Sequence, residues 1–316
     1  MKTPDVQSIW ITGASGFIGR NLALFLSGLG YKIFGIGHGA WSAQEALEFG
    51  IFKWINGSIV SKNLDLLANS SCIPDKIFHL AGGSSVGFSL ENPHEDFCRT
   101  VIGTANLLEW VRLNAPESKL IAISSAAVYG DLHRDSVSEH AACSPYSPYG
   151  HHKLMIEGMC QSYARAFGVN LIITRLFSVY GKFLRKQLLW DLCTKLSLGN
   201  PSITLGGTGY ETRDWMDIRD VVSALHAASD LASNDAPIIN IGTGVGVSVR
   251  EIAELVRDSW ESDSKILFNQ QTRNGDPFSL IGNCQQLSSL GFFSQFPVQI
   301  GVPNYVEWYL RNILIK

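Results

Sequence analysis

One glycine-rich stretch near the start of the chain, 8–26 (SIWITGASGFIGRNLALFL), constrains the fold more than any other part of the sequence. An apolar run at 9–11 enters a turn holding Gly13, Gly16 and Gly19. Phe17, Ile18, Leu22, Phe25, Leu26 and Leu29 then recur at helical spacing, so strand, tight turn and helix follow in order. Gly13 permits the turn, Gly16 lets backbone approach a pyrophosphate with no Cβ in the way, and Gly19 lets helix and strand pack closely. Ser15, Gly16, Phe17 and Ile18 span the turn and the first helical residues, where unpaired N–H groups face such an anion. A βα turn without a ligand can also be rich in glycine. The strand before and the helix behind favour the phosphate-binding reading.

At 316 residues the chain can bury a full core, as one large α/β unit or as two lobes. A net charge of −3 with no long like-charge run speaks against a nucleic-acid surface. The opening MKTPDVQ is polar and leads straight into a strand, unlike a signal peptide, and no apolar stretch reaches the roughly 18 residues of a spanning helix. Cys72, Cys98, Cys143, Cys160, Cys193 and Cys284 are scattered without Cys-x-x-Cys pairs, which reads as small buried hydrophobes rather than disulfides or a metal site. The expectation is a soluble cytoplasmic protein that binds no metal, nucleic acid or membrane.

Strand and helix patterns alternate from there. Strands are expected at 31–36, 51–55, 76–81 and 119–124, with a helix over 101–113. This alternation predicts a doubly wound parallel sheet of the Rossmann type. In such folds an acid near the end of the second strand takes the ribose hydroxyls. Here Gly37-His38-Gly39-Ala40-Trp41 stands instead, without a carboxylate. Loss of the acid leaves room for a 2′-phosphate, to which His38 can donate, so the expectation leans to NADP over NAD. Ser58, after the third strand, stands where enzymes resembling this chain usually place an Asp that faces the adenine, and its hydroxyl can still donate and accept hydrogen bonds there. Leu80, Ala81 and Gly82 leave the fourth strand at the sheet edge where α/β folds bind ligands, and Ser84 and Ser85 follow.

The chemistry is carried by Ser124-Ser125-Ala126-Ala127-Val128-Tyr129-Gly130, ending the fifth strand, and by Tyr149-Gly150-His151-His152-Lys153, opening a helical pattern. Tyr149 and Lys153 are four apart and share a helix face. A phenol with an ordinary pKa of about 10 is a poor base at neutral pH. A neighbouring ammonium is expected to lower it and so make Tyr149 a usable acid or base. Ser125, or Ser124 in its place, can hold the same substrate oxygen. The product is a site for proton transfer at a carbinol oxygen while hydride moves to or from nicotinamide. Tyr-x-x-x-Lys alone arises often as an exposed helix pair; its order behind the glycine turn is what gives it weight.

TGASGFIG, SSAAVYG and SPYGHHK together resemble the extended short-chain dehydrogenase/reductases, specifically the NAD-dependent epimerase/dehydratase family, many of which act on nucleotide-linked sugars. The resemblance implies Ser125 and Tyr149 on the reacting oxygen, and Lys153 both as the group acting on Tyr149 and as a ligand of the nicotinamide ribose. It extends over nearly the whole chain. Residues 171–180 with Gly181 resemble the family's sixth strand and following loop, with Ser178 where an Asn often meets the sugar nucleotide. In 200–220, Arg213 takes the place of the arginine that holds the diphosphate, a task suited to its fork of donors. An Arg213–Asp214 surface pair is the plainer alternative. Lys182, Arg185, Lys186 and Gln187 form a basic cluster of low weight. A late strand at 238–244 is expected to return to the substrate lobe, and a helix to follow over 248–260.

Ala126 and Ala127 stand where the family's 4,6-dehydratases have an Asp-Glu pair, which disfavours dehydration and decarboxylation. What remains is oxidation or reduction at one sugar carbon. With no acid at Gly37, the leading expectation is NADPH-dependent reduction of a nucleoside-diphosphate 4-keto-6-deoxysugar. The alternatives are a 4-epimerase with tightly bound NAD and a non-catalytic sensor. The dinucleotide lobe is expected over 1–180 with 216–245 returning to it, and a smaller C-terminal substrate lobe over 181–215 and 246–316. The resemblance also implies a homodimer through the helices carrying Asn106 and Tyr149–Lys153.

Overall fold

The computed structural model describes residues 6–39, 41–271 and 277–314. Ala40 and the first five residues of the amino-terminal stretch read above therefore lie outside the described residues. The chain runs β1 (Ser8–Thr12), α1 (Phe17–Gly28), β2 (Lys32–Gly37), α2 (Ala43–Glu48), β3 (Ile51–Asn56), α3 (Ser61–Ser70) and β4 (Lys76–His79). Two short helices, α4 (Val86–Glu91) and α5 (Pro93–Phe97), continue through a π-helical turn, Cys98–Ile102, into α6 (Gly103–Asn114). Then come β5 (Lys119–Ser125), α7 (Pro148–Phe167), β6 (Leu171–Leu176), β7 (Ser178–Tyr180), α8 (Gln187–Leu196), β8 (Ser202–Leu205), β9 (Thr212–Asp217) and α9 (Ile218–Ala228). The remainder holds β10 (Ile238–Ile241), β11 (Gly246–Ser248), α10 (Val249–Ser259), β12 (Lys265–Phe268), β13 (Ser279–Leu280), α11 (Gln285–Ser289) and α12 (Val298–Tyr309).

The chain divides into two compact units. The first reaches to Val128 and adds Pro145–Arg175 and Val222–Ile239. Its seven-stranded sheet has the order β10-β6-β5-β4-β1-β2-β3, with the pairs from β5 through to β3 parallel. That is the doubly wound Rossmann-type order, whose direction reverses between β1 and β4 and so opens a crevice beyond their carboxyl ends. The strands are built for burial on both faces: all five residues of β1 and all four of β4 are buried. One core cluster joins Trp10, Phe34 and Ile77 of the sheet to Leu107, Trp110 and Val111 of α6, with the Trp10 and Trp110 rings 5.1 Å apart.

The second unit holds Tyr129–Ser144, Leu176–Val221 and the chain from Asn240 onward. Here β9 is central: β11 pairs with it antiparallel, and β13 and β7 pair with it parallel. The pair β12–β8 is separate. Ser248 caps α10 and Glu251 returns the bond to the Ser248 N–H, a capping box worth about 1 kcal/mol.

Residues 171–180, expected as a strand and the loop after it, form β6 to Leu176, and within the expected loop Ser178–Tyr180 makes a further short strand paired with β9. The late strand expected over 238–244 is shorter, ending at Ile241, and lies beside β6 at the edge of the large sheet. Among the described residues no helix is long and apolar enough to cross a membrane.

Candidate functional site

The glycine turn forms where β1 ends. Gly13 has φ +68°, and a Cβ there would sit 2.9 Å from Ala81 N and 3.0 Å from Leu80 C, so the turn lies directly against the segment leaving β4. A Cβ on Gly19 would strike the Gly13 carbonyl oxygen and lie 2.7 Å from Ala14 Cα. Gly16 occupies the N-cap of α1 without a side-chain cap, and no acid stands in the first turn. This helix start thus presents backbone donors and positive dipole to an anion. The Ala81 N–H donates to Thr12 Oγ (3.1 Å) and the Gly83 N–H to Thr100 Oγ (2.7 Å), fixing Leu80, Ala81 and Gly82 beside the crevice.

At the end of β2 the acid is indeed missing. Gly37 is the last strand residue, and its Cβ position lies 3.2 Å from Gly13 Cα. His38 is exposed; its Nε2 is 3.3 Å from Ser58 Oγ, and its carbonyl accepts from Ser15 Oγ at 2.6 Å. No Arg or Lys neighbours His38 in sequence, but the fold brings one near. Arg20 of α1 donates to the Ser15 carbonyl (2.6 Å) and lies over the Trp41 and Phe49 rings, 5.1 Å from each centroid.

Ser125 ends β5, half-buried, and Ser147 caps α7 by accepting from the Gly150 N–H (3.1 Å), with Pro148 next. Gly150 explains the residue after the tyrosine: a Cβ there would lie 2.7 Å from the Ala127 carbonyl oxygen, so only glycine lets α7 press against the serine segment. The first turn of α7 therefore brings Tyr149 to Ser125. Lys153, 4% exposed, donates to the Ile123 carbonyl at 2.8 Å, with Nζ 5.8 Å from the Tyr149 ring centroid.

The electrostatics differ from the sequence expectation. Packing around the phenol raises Tyr149 above its ordinary value; hydrogen bonding from Ser125 pulls it down and the Asp96 carboxylate pushes it up. Lys153 is not among the groups that lower it. Burial instead depresses Lys153 itself to about 8, with Asp96 and then Glu157 acting the other way. Ser124 is also corrected. Its hydroxyl is 2% exposed and donates to Glu157 Oε1 (2.5 Å), which Arg175 grips from Nε (2.9 Å) and Nη2 (2.7 Å), so it is committed to the core. Ser85 caps α4, its oxygen accepting from the Phe88 N–H at 3.4 Å, while Ser84 next to it is exposed.

Sequence reasoning missed a set of buried polar residues under the site. His79 lies between Thr12 Oγ (2.7 Å) and Thr104 Oγ (2.9 Å); burial, and next the Lys153 charge, hold it down at about 3, so it is neutral. Asp96 meets His152 Nδ1 at 2.5 Å. None of these pairs has a local motif; a glycine pair after β4 that tolerates no Cβ is the nearest signal.

In the second unit, Arg213 of β9 faces Val247 on β11 and Leu280 on β13, and donates to the Thr212 carbonyl at 2.8 Å. Asp214 is fully buried and accepts from the N–H groups of Thr243 (2.8 Å), Gly244 (2.9 Å) and Gly282 (3.2 Å). The alternative of an exposed Arg213–Asp214 pair is therefore excluded. Ser178 is half-buried on β7 opposite Trp215. Of the basic cluster, Lys186 is lowered by burial and Gln187 takes positive φ, as does Phe183 between its members.

Comparison with known proteins adds the following. A sequence profile of the "NAD dependent epimerase/dehydratase family" matches residues 9–242. The chain is 28% identical over 327 residues to a UDP-glucose 4-epimerase of Halalkalibacterium halodurans, covering 97% of this chain and 96% of that one. It is 28% identical over 335 residues to a CDP-paratose 2-epimerase of Salmonella typhi, covering 96% and 99%. A UDP-glucuronic acid 4-epimerase from Bacillus cereus, solved with UDP-glucuronic acid and NAD, superimposes with a TM-score of 0.86 at 25% identity over 96% of this chain and 99% of that one.

Proposed function

The chain belongs to the NAD-dependent epimerase/dehydratase family, and on that premise we propose that it is a 4-epimerase of a nucleoside-diphosphate sugar working with NAD. The observation that carries this reading is the similarity, over nearly the full chain, to a UDP-glucose 4-epimerase. It outweighs the expectation of an NADPH-dependent reductase, which rested on the missing acid at Gly37. The sensor alternative is set aside because Ser125, Tyr149 and Lys153 are all present and brought together.

The cradle fits a dinucleotide. A pyrophosphate is held by the Gly13–Gly19 turn and the α1 N-terminus, where added Cβ atoms would collide with backbone. Bound NAD supplies a hydride acceptor that later serves as donor. Tyr149 takes the proton from the sugar C4 hydroxyl as that carbon is oxidised and returns it when the carbon is reduced from the other face. Ser125 donates a hydrogen bond to the same oxygen throughout. Burial favours the neutral phenol, the hydrogen bond from Ser125 favours the phenolate, and Lys153 binds the nicotinamide ribose. Ala126 and Ala127 offer no further proton acceptor, which keeps the chemistry to oxidation and reduction. Arg213 holds the substrate diphosphate.

The test is to release and identify any dinucleotide retained through purification, then to incubate the protein with UDP-glucose or UDP-glucuronic acid without added cofactor. The expected result is retained NAD and formation of the C4 epimer with no net NADH. Consumption of NADPH with a 4-keto sugar nucleotide, and no epimer, would overturn the reading. Similarity to a 2-epimerase makes C2 the competing carbon, and the stereochemistry of the product separates the two.

A further inference from the structure

The helix that carries Tyr149 and Lys153 also carries His152, whose Nδ1 is 2.5 Å from Oδ2 of Asp96 on α5. Asp96 is 0% exposed. Its other oxygen, Oδ1, is buried without a hydrogen-bond partner and lies so close over Gly83 that no Cβ fits there. The edge of the Phe97 ring closes the other side, 5.4 Å from the imidazole. A carboxylate with half of its acceptor capacity unused is an expensive way to fill a core. An apolar side chain would pack the same volume at less cost.

Resting on the reading of Tyr149 and Lys153 as the proton-transfer machinery, we propose that Asp96, held by His152, is a positioning residue whose negative charge sets the protonation of both groups. Its carboxylate favours the Lys153 ammonium and opposes the Tyr149 phenolate. The other charged groups nearby do not duplicate this. From α7, Glu157 acts on Lys153 but is already gripped by Arg175, and burial pushes the Cys160 thiol up to about 12, so it is uncharged. From β4, His79 faces Lys153 and is neutral. On the α5 side, Glu95 and Arg99 pair with each other at the surface, and His94 lies against the Cys98 thiol. Asp96 is the carboxylate that acts on Tyr149 and Lys153 alike.

Removing this charge lets both groups lose their protons at lower pH. The test is an ultraviolet titration of tyrosinate in the purified protein, taken as the difference between wild type and Tyr149→Phe, and repeated in an Asp96→Asn background. The expected result is Tyr149 ionising about one pH unit lower without Asp96, in line with a single charge at close range, and restored by Asp96→Glu. An unmoved tyrosinate titration with a lowered melting temperature would overturn the proposal and leave Asp96 a structural residue. If the amide variant does not fold, Asp96→Ser removes the same charge with less bulk. The titration needs neither sugar nor cofactor, so failure of the epimerase assay refutes the proposed function and leaves the role of Asp96 readable.

Discussion

At the β4–β5 end of the large sheet, His79, Asp96, Lys153, Glu157 and Arg175 are all buried and hydrogen-bonded. At the β2–β3 end, His38 and Ser58 are exposed and Ser15 is half-buried, linked by contacts of 2.6 and 3.3 Å. A buried polar network tolerates little change, because each member lost leaves another unsatisfied. An exposed one loses little when altered, because water takes the place of the missing partner. Under the proposed function, the reaction falls to the interior and the adenosine ribose to a surface that substitution can adjust.

The most direct attack on that contrast is Tyr149→Phe, which removes the proton carrier without disturbing the fold. Turnover should fall about 10³-fold, with NAD affinity by titration near that of wild type. Retained turnover would mean that the interior does not hold the chemistry. Next in size is Glu157→Gln, which leaves the Arg175 guanidinium buried without its counter-charge. Thermal or denaturant unfolding should show a loss of about 3 kcal/mol; a change within the range of surface mutations would break the comparison from its buried side. Gly37→Asp probes the exposed side. The new Cβ sits 3.2 Å from Gly13 Cα and 3.3 Å from Trp54, a fit requiring shifts of tenths of an ångström. Its carboxylate should accept from ribose hydroxyls and repel a 2′-phosphate, moving the NAD-to-NADP affinity ratio about tenfold toward NAD, or about 1.4 kcal/mol. An unchanged ratio would place ribose selection elsewhere, with Arg20 the first residue to substitute.

What was legible in the sequence follows the same division. Gly13, Gly16 and Gly19 announce a turn because they fall within seven residues and their neighbours keep helical period. Tyr149 and Lys153 announce a shared face because four residues make about one turn. The partner of His79 is 67 residues away at Thr12, and that of His152 is 56 residues away at Asp96. Such pairs are set by strand order, and no local pattern encodes them. The expected effect of Lys153 on Tyr149 failed for a related reason: spacing gives adjacency, whereas the sign of a shift depends on burial and on Asp96, which only the folded chain brings close. The pairing of Ser178–Tyr180 with β9 was hidden because no local pattern names a strand's partner.

The π-helical turn at Cys98–Ile102 separates Asp96 from α6. A π turn holds one residue more than an α turn, so the tract carries an extra residue relative to an uninterrupted helix. Deleting one residue there would restore regular helix with Asp96 and the α6 face near their present relative orientation, whereas a deletion within α6 itself would turn Asp96 by roughly 100°. The π turn is therefore the point in this tract where the loss of one residue disturbs the placement of Asp96 least, and a chain shortened there should keep its fold where one shortened within α6 does not.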